Sequence, residues 1–328
     1  MASSQAAIRH RAPHTHAPDV AACVFAAIIP AISQKESRFR MITITAASGR
    51  LGRLVIAELL PHGVPADEIV AAVRSPEKAA DLAEHSVQVR HADYDQPETL
   101  EAAFTGTDKL LLIPSAIYGQ RFPQINNAVQ AAVAAHVPLV AYASFVNAAT
   151  STLRLADEHK QAEARIRESG LPFIFLRNGA YIELYCGELG DLAPALESGV
   201  LIGSGGNGKI SGATRPDLAA AAAVVLTGEG PANKAYELGG EAFTLTDLAA
   251  EISAQSGKPL VYQDLPVEEY AKELAARGVP KPFADLLADT SFAITRGDWY
   301  TDSTDLQQLI GRPATPLANV VTAALKTL

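Results

Sequence analysis

Cysteine is nearly absent from this sequence, which contains only Cys23 and Cys186 among its 328 residues. Two cysteines are too few for a disulfide framework, and their spacing matches no metal-ligand motif. The three histidines near the start, His10, His14 and His16, have no second cluster of ligands beside them. The sequence therefore predicts no metal site, and the simplest location for the protein is a reducing compartment, the cytoplasm.

A basic excess and a long apolar run are missing as well. The net charge of −9 leaves no cationic surface to neutralise a phosphate backbone, so no nucleic-acid partner is expected. An apolar run at residues 20–29 ends at Pro30 and is well short of the ~20 residues that span a bilayer. We therefore expect no membrane partner.

Residues 1–40 differ in composition from the rest of the chain. We expect them to form a disordered or non-native extension ahead of a natural start at Met41. A basic start followed by an apolar run is also typical of a signal or transit peptide, and this alternative stays open. The fold is therefore predicted from Met41 onward.

Short apolar runs alternate with helix-period segments from Met41 onward. The predicted strands are Ile42–Thr45, Ile69–Val73, Val87–Arg90, Leu110–Ile113, Leu139–Ala143 and Phe173–Leu176. The predicted helices between them are Arg53–Leu60, Glu77–Ala83, Thr99–Phe104, Gln124–Ala135 and Asp157–Glu168. This alternation indicates a Rossmann-type, doubly wound α/β fold with a parallel sheet covered on both faces. Ligands of such sheets bind at the carboxyl ends of the strands, near the switch point.

The alternation weakens after Asn178. A glycine-rich loop occurs at Gly203–Gly208, and helices are predicted at Asp217–Leu226, Thr246–Ala254 and Glu268–Arg277. We predict a Rossmann domain over residues 41–180 and a smaller α/β lobe over residues 181–328 that packs on the strand ends and closes a substrate pocket.

The segment Thr45–Gly52 has the layout of a dinucleotide-binding turn. In such turns the first glycine permits a tight turn, the second lets the backbone approach the pyrophosphate, and the third allows the helix to pack closely on the strand. Gly49 and Gly52 can take the second and third roles, ahead of a helix whose N-terminal N–H groups face the phosphates. Ala46 stands in the first place, where a methyl group is tolerated only at negative φ, which we therefore expect. A plain strand–turn–helix corner is the alternative.

Arg74 follows the second predicted strand, where NAD-binding proteins usually carry Asp or Glu for the ribose hydroxyls. Its planar guanidinium suits a 2′-phosphate, although a solvated surface arginine is the alternative. The loop and the arginine together favour NADP(H) as the cofactor of the first domain.

The proton donor of ordinary short-chain dehydrogenases is missing. That chemistry needs a lysine four residues after a tyrosine, and none of the nine tyrosines has one. Ser144 stands where the serine of such enzymes would lie, and His159 with Glu163 shares a helix face, which we interpret as a surface or packing pair. We assign no catalytic residue. Hydride transfer to a quinone fits this set, because the product oxygens can take protons from water.

The order of several motifs resembles one family. These are Thr45–Gly52, Val73–Lys78, Leu110–Ile113, Gly119–Arg121, Leu155–His159, Leu176–Gly179, Gly208–Ile210, Ala213–Arg215 and Tyr236–Leu238. Over Met41 to the C-terminus the chain resembles the NmrA-like atypical short-chain dehydrogenases, most closely those that reduce quinones with NAD(P)H.

The resemblance implies a set of cofactor-binding residues. For the pyrophosphate and 2′-phosphate they are Ala46, Ala47, Ser48, Gly49, Arg50, Leu51, Gly52 and Arg74. Near the nicotinamide they are Ala116, Ile117, Tyr118, Asn178, Gly179, Ala180, Tyr181, Ile182 and Glu183. Ala180 stands where the family has a tryptophan, and Leu184 stands where it has an asparagine. Both changes make the pocket larger or less polar, so the identity of the electron acceptor stays open.

The aromatic side chains of Phe145, Tyr181 and Tyr185, together with Tyr118, would suit a flat apolar substrate, although each could equally be plain core. We therefore expect a cytoplasmic NAD(P)H:quinone oxidoreductase that transfers hydride directly, without flavin or metal. The alternative is a non-catalytic NADP(H)-binding redox sensor that regulates a partner. A homodimer is one option for its assembly.

Overall fold

A seven-stranded, fully parallel sheet lies at the centre of the fold, in a computed structural model that describes residues 41–188 and 192–328. Its strands are β1 (Ile42–Thr45), β2 (Ile69–Val73), β3 (Gln88–His91), β4 (Lys109–Leu112), β5 (Leu139–Phe145), β6 (Phe173–Asn178) and β9 (Lys234–Leu238). Their order is β3-β2-β1-β4-β5-β6-β9, so the direction of winding changes between β1 and β4. The first six confirm the predicted strands to within two residues at nearly every end. The predictions for residues 1–40 lie outside the described residues.

Helices cover both faces of the sheet, as the continuous apolar strands require. One face packs against α1 (Arg50–Leu59) and α7 (Arg215–Thr227). The other packs against α3 (Pro97–Phe104), α4 (Arg121–Ala134) and α5 (Arg154–Glu168). Between β2 and β3, a 3₁₀ turn at Pro76–Ala79 leads into α2 (Ala80–Glu84). The doubly wound Rossmann fold is therefore confirmed.

The C-terminal part of the chain adds smaller elements around a third apolar core. Its strands form two pairs, β8 (Ile210–Ser211) with β10 (Ala242–Phe243), and β7 (Val200–Gly203) with β11 (Val261–Asp264). Its helices are α6 (Leu192–Ser198), α8 (Leu245–Ser256), α9 (Val267–Ala276), α10 (Lys281–Phe292), α11 (Asp305–Ile310) and α12 (Leu317–Leu325).

The strand β9 comes from this C-terminal part but pairs in parallel with β6, so the polypeptide returns to the main sheet after residue 180. The division at residue 180 stays a prediction. Among the described residues, no helix has the length and apolar character needed to cross a membrane.

Candidate functional site

The turn after β1 departs from the sequence prediction at one residue. Ala46 has φ +48°, in the left-handed region, so the expected negative φ is wrong. The turn is closed by a hydrogen bond of 2.9 Å from the Gly49 N–H to the Ala46 carbonyl oxygen. The left-handed conformation costs about 1–2 kcal/mol when the residue carries a Cβ.

The two glycines of the turn have different structural roles. Gly49 precedes α1 in an extended conformation, φ −78° and ψ 168°, which any residue can adopt. At Gly52 an added Cβ would lie 2.7 Å from the Ala47 Cα and 2.9 Å from the Ala46 carbonyl oxygen. Gly52 therefore lets α1 pack against the turn, which is the role predicted for the third glycine.

A cleft of about 290 Å³ opens at the carboxyl ends of β1, β2 and β4, beside the switch point. Its lining residues are Thr45, Ala46, Ser48, Gly49, Arg74, Ser75, Lys78, Ala92, Asp93, Tyr94, Leu100, Ser115, Ala116, Ile117 and Gln124. Six of the predicted cofactor-binding residues are among them: Ala46, Ser48, Gly49, Arg74, Ala116 and Ile117. This is the position in which doubly wound sheets bind nucleotides.

Two cationic side chains lie on the rim of this cleft, Arg74 and Lys78, and both are exposed. Neither side chain makes a hydrogen bond or ion pair in the part of the chain that the structure describes. Lys78 was not predicted, because the 3₁₀ turn at Pro76–Ala79 that returns it to the cleft leaves no periodic signal in the sequence.

Arg53 joins the two walls of this part of the cleft. Its Nε donates to the Ser48 carbonyl oxygen at 3.2 Å, and its Nη1 binds the Asp81 carboxylate at 2.6 Å. A further bond from Nη2 to the Lys78 carbonyl oxygen fixes the rim. This arginine therefore links the turn after β1 to the segment that carries Lys78 on the rim of the cleft.

A buried hydroxyl network fixes the floor of the cleft. Thr45 Oγ1 donates to the Leu111 carbonyl oxygen at 3.0 Å and accepts from the Ile113 N–H at 2.9 Å. The Tyr94 hydroxyl lies 2.6 Å from Thr45 Oγ1, and burial raises the pKa of this tyrosine. Tyr94 was also not predicted, since nothing in the sequence indicates that a side chain in the segment after β3 contacts Thr45 at the end of β1.

The remaining residues predicted in the turn lie behind the cleft or beside it. Ala47, Leu51 and Gly52 are buried, and the Ala47 N–H bonds to the Ala72 carbonyl oxygen at 3.4 Å. Arg50 is exposed at the start of α1, and Tyr118 is exposed next to the cleft-lining Ile117. These side chains are not part of the cleft lining.

The segment Asn178–Glu183 leaves the end of β6 and is not part of the cleft lining either. Ala180 and Ile182 are buried in the C-terminal core, and the Gly179 N–H bonds to the Leu238 carbonyl oxygen at 2.9 Å. An added Cβ at Gly179 would meet the Ser211 carbonyl oxygen, so this glycine permits a close backbone approach.

Polar side chains of the same segment pack around Tyr181. Its ring lies 4.5 Å from the Arg215 guanidinium. Burial raises the pKa of Tyr181, so the phenol stays protonated near neutral pH. Glu183 accepts from the Arg215 N–H at 2.8 Å at the start of α7. The cofactor assignment of this segment stays a prediction.

The aromatic residues predicted for the substrate lie in two different apolar cores of the structure. Phe145 is buried, with its ring centroid 4.6 Å from that of Trp299, and Tyr185 packs edge-on against Phe243 at 6.1 Å. Both belong to the C-terminal core, whereas Tyr181 packs against the core around α1 and α7. Their assignment to the substrate stays a prediction.

His159 and Glu163 are buried and bind different partners. His159 Nδ1 shares a hydrogen bond of 2.9 Å with the Tyr142 hydroxyl, and burial lowers the pKa of the imidazole to about 3. Glu163 accepts from Ser144 Oγ at 2.7 Å and from Arg177 at 2.7 and 2.9 Å. Both side chains are therefore packed in the interior, each with its own partners, so the surface option is wrong, and the hydroxyl of Ser144 donates to Glu163.

The glycine-rich loop after β7 is occupied by internal contacts. The Gly205 N–H bonds to the Tyr262 hydroxyl at 2.9 Å, and the Gly206 N–H bonds to Asp264 at 2.8 Å. At Gly208 an added Cβ would meet the Ile294 backbone. This loop therefore packs on its own domain and does not form a second phosphate site.

Proteins similar to this chain include NADPH-dependent reductases. The chain is 48% identical over 282 residues to quinone oxidoreductase 2 of Escherichia coli, with 86% of this chain and 97% of the relative covered. It superimposes on the NADPH complex of the NADPH-dependent quinone oxidoreductase QOR2 from that organism with a TM-score of 0.84 at 47% identity, covering 87% of this chain and 100% of the other.

Another similar protein is named for a different compound. The triphenylmethane reductase of a Citrobacter species, complexed with NADP(H), gives a TM-score of 0.82 at 42% identity and covers 86% of this chain and 99% of its own. The sequence pattern described as the NmrA-like family matches residues 39–317. The protein therefore belongs to the NmrA-like family.

Proposed function

We propose that this protein is an NADPH-dependent quinone oxidoreductase that transfers hydride to a quinone in one two-electron step, without flavin or metal. The observation that carries the proposal is the switch-point cleft with two cations on its rim, Arg74 and Lys78, whose side chains bind no partner among the described residues. A guanidinium beside an ammonium group suits the 2′-phosphate that distinguishes NADPH from NADH. The 48% identity to a quinone oxidoreductase over nearly its whole length supports the acceptor.

The described residues fit the cofactor along the length of the cleft. The turn Ala46–Gly49 and the first N–H groups of α1 lie where a pyrophosphate gains from a helix N-terminus. Gly52 lets that helix approach the turn closely. Ala116 and Ile117 line the opposite wall, toward β4. When bound, NADPH supplies the hydride, and the protein supplies its position relative to the acceptor, which can account for much of a rate enhancement.

The surroundings of the polar side chains favour a quinone over a simple carbonyl. Ser144 donates to Glu163, and His159 is buried and neutral beside Tyr142, so neither is available as a proton donor. A quinone needs no dedicated acid, because the reduced ring can take protons from water. Tyr181, whose phenol stays protonated, is a residue of the predicted pocket that could act as an acid.

Turnover with a set of acceptors tests the proposal. NADPH oxidation is followed in the nicotinamide absorbance band with benzoquinones, naphthoquinones and a triphenylmethane dye, since a 42% identical protein is a triphenylmethane reductase. We expect the quinones to give the highest kcat/KM. Preference for the dye would overturn the quinone assignment, and NADPH binding without turnover of any acceptor would favour the redox sensor.

A cytoplasmic location and a homodimer remain part of the proposal. The small number of cysteines and the expected use of NADPH support a reducing compartment. Fractionation of cells that produce the natural protein tests the location, and light scattering of the purified protein tests the dimer.

A further inference from the structure

Two motifs that carry the family resemblance, Gly119–Arg121 and Leu155–His159, meet in the structure although neither is explained by the proposed function. The Glu158 carboxylate, on α5, accepts from the Gly119 N–H at 3.1 Å and from the Phe122 N–H at 3.2 Å. Its Oε2 lies 3.5 Å from Arg121 Nη1. One buried carboxylate therefore binds the junction between the segment after β4 and the helix α4.

Arg121 binds the opposite end of the same segment. Its Nε donates to the Ser115 carbonyl oxygen at 3.2 Å. The residues Ser115–Gln120 are therefore tied at their beginning by Arg121 and at their end by Glu158. Gly119 has φ +83°, and an added Cβ there would meet nothing, so this glycine is required by its conformation rather than by packing.

The segment tied in this way forms one wall of the cofactor cleft. Ser115, Ala116 and Ile117 line the cleft, and the next residue, Tyr118, lies at its edge. Ile117 and Tyr118 are 51% and 41% exposed, although both are large and apolar. Two consecutive exposed apolar side chains beside a nucleotide cleft offer a surface that a flat ring can cover.

The burial of the charged pair supports a role beyond stability. The Arg121 and Glu158 side chains are 8% and 12% exposed. Burying two charges has a desolvation cost that can exceed their attraction. A packed apolar pair of similar volume often stabilises a protein as much or more, so a buried ion pair is weak evidence for stability. Here the Arg121 Nη1 donates no hydrogen bond among the described residues, and the two side chains instead bind three backbone groups of one segment.

We propose that Glu158 and Arg121 are positioning residues of the cofactor cleft, which hold Ser115–Gln120 in the conformation that presents Ile117 and Tyr118 to the nicotinamide end. The inference rests on the proposed function in that it takes the cleft as the NADPH site. It adds that a carboxylate with no part in the cleft lining sets the affinity for the cofactor.

Glu158→Gln tests this proposal, because glutamine has the same shape but replaces one acceptor oxygen by an NH₂ group, which cannot accept. Since glutamine keeps one acceptor oxygen, we expect amide hydrogen exchange to become at least tenfold faster at one of the two N–H groups, Gly119 or Phe122, with little change in α5. We also expect the Kd of NADPH, measured by its fluorescence, to rise at least fivefold. Neither measurement requires turnover.

Glu163→Gln is the matched control. Glu163 lies on the same helix, is buried and accepts from Ser144 and Arg177, but has no contact with Ser115–Gln120. Its variant should lower the Tm and leave both the Kd of NADPH and the exchange at Gly119 within twofold of the wild type. If both variants shift the Kd equally, or if Glu158→Gln leaves the Kd unchanged, the proposal is wrong.

Arg121→Lys provides a second variant if Glu158→Gln fails to fold. Lysine keeps the charge beside Glu158 but lacks the Nε donor to the Ser115 carbonyl oxygen. We expect faster exchange confined to residues 115–120 and a rise of at least threefold in the Kd of NADPH, and wild-type values for both would overturn the proposal. If the wild-type protein reduces no quinone while these shifts in NADPH binding occur, the proposed function fails and the positioning role stands.

Discussion

The carbonyl oxygen of Ala46 accepts a hydrogen bond of 2.9 Å from the N–H of Gly49, which closes the turn between β1 and α1. Ala46 itself has φ +48°, so this turn carries a methyl group in the left-handed conformation, in the place of the first glycine of a dinucleotide-binding loop. The backbone therefore stores local strain at the edge of the cofactor cleft.

Ala46→Gly should stabilise the protein. The left-handed conformation costs a non-glycine residue about 1–2 kcal/mol, and the greater freedom of glycine in the unfolded chain takes back part of the gain. We expect the free energy of unfolding in urea to rise by about 0.5–1 kcal/mol, with the Kd of NADPH within threefold. Ala102→Gly, at an exposed site inside α3, is the control and should lose about 0.5–1 kcal/mol. Equal losses in both variants would contradict the strain at Ala46.

Arg74→Ala should reduce the preference for NADPH over NADH. The substitution removes a charge-assisted contact worth about 1.5–3 kcal/mol, so the Kd of NADPH should rise at least tenfold, whereas that of NADH should barely change. Titration calorimetry with both cofactors measures the difference. Arg154→Ala, at an exposed arginine outside the cleft lining, should leave both values unaltered. Equal losses for NADPH and NADH in Arg74→Ala would mean that Arg74 is structural.

His159 should make the protein less stable in acid. Burial lowers the pKa of this imidazole from 6.5 to about 3, so between these values the unfolded chain binds a proton that the folded protein does not. Stability is therefore lost as the pH falls below about 6.5, with a slope of at most about 1.4 kcal/mol per pH unit from this group.

His159→Gln tests this linkage, because a glutamine side chain can still bond with the Tyr142 hydroxyl and carries no titrating group. Urea midpoints are measured at intervals from pH 8 down to pH 4.5 for both proteins, each normalised to its own value at pH 8. We expect a shallower decline in the variant. Parallel curves would show that carboxylates alone govern the acid limit.

Tyr181→Phe should keep catalytic activity within about tenfold of the wild type. General acid catalysis is typically worth 10²–10⁴, so a larger loss would be expected only if this phenol donates a proton to the acceptor. The measurement is kcat for a quinone at saturating NADPH, together with the Kd of NADPH. Loss of turnover with intact cofactor binding would favour a carbonyl acceptor with a dedicated acid.

Gly179→Ala should affect folding rather than the substrate pocket. The added Cβ would meet the Ser211 carbonyl oxygen and lie 3.0 Å from that of Leu238, so β6 and its neighbours would have to separate. Overpacking of this kind typically costs about 1–3 kcal/mol, which a urea unfolding curve detects. Ser256→Ala, at a half-buried site at the end of α8, is the control and should change stability little. Gly257→Ala is unsuitable because Gly257 has a positive φ. A wild-type unfolding curve for Gly179→Ala would show that the backbone there can yield.

The order of the first six strands and one of the two cations on the rim of the cleft, Arg74, could be predicted from the sequence. A strand buried on both faces is mostly apolar, so Ile69–Val73 was visible as a short run, and the end of that run placed Arg74 at the carboxyl edge of the sheet. Likewise, the missing lysine after every tyrosine excluded the usual acid, because that chemistry depends on a fixed local spacing.

Only the tertiary structure decided what depends on contacts between distant parts of the chain. The φ of Ala46 follows from closing a turn between a packed strand and a packed helix, and no local preference of alanine predicts it. The pairing of β9 with β6 and the bonds from Glu158 to Gly119 join residues that are about sixty and about forty positions apart. Such contacts are selected by the shape and polarity of the surfaces that meet, whereas sequence periodicity reports only on which face of each element is buried.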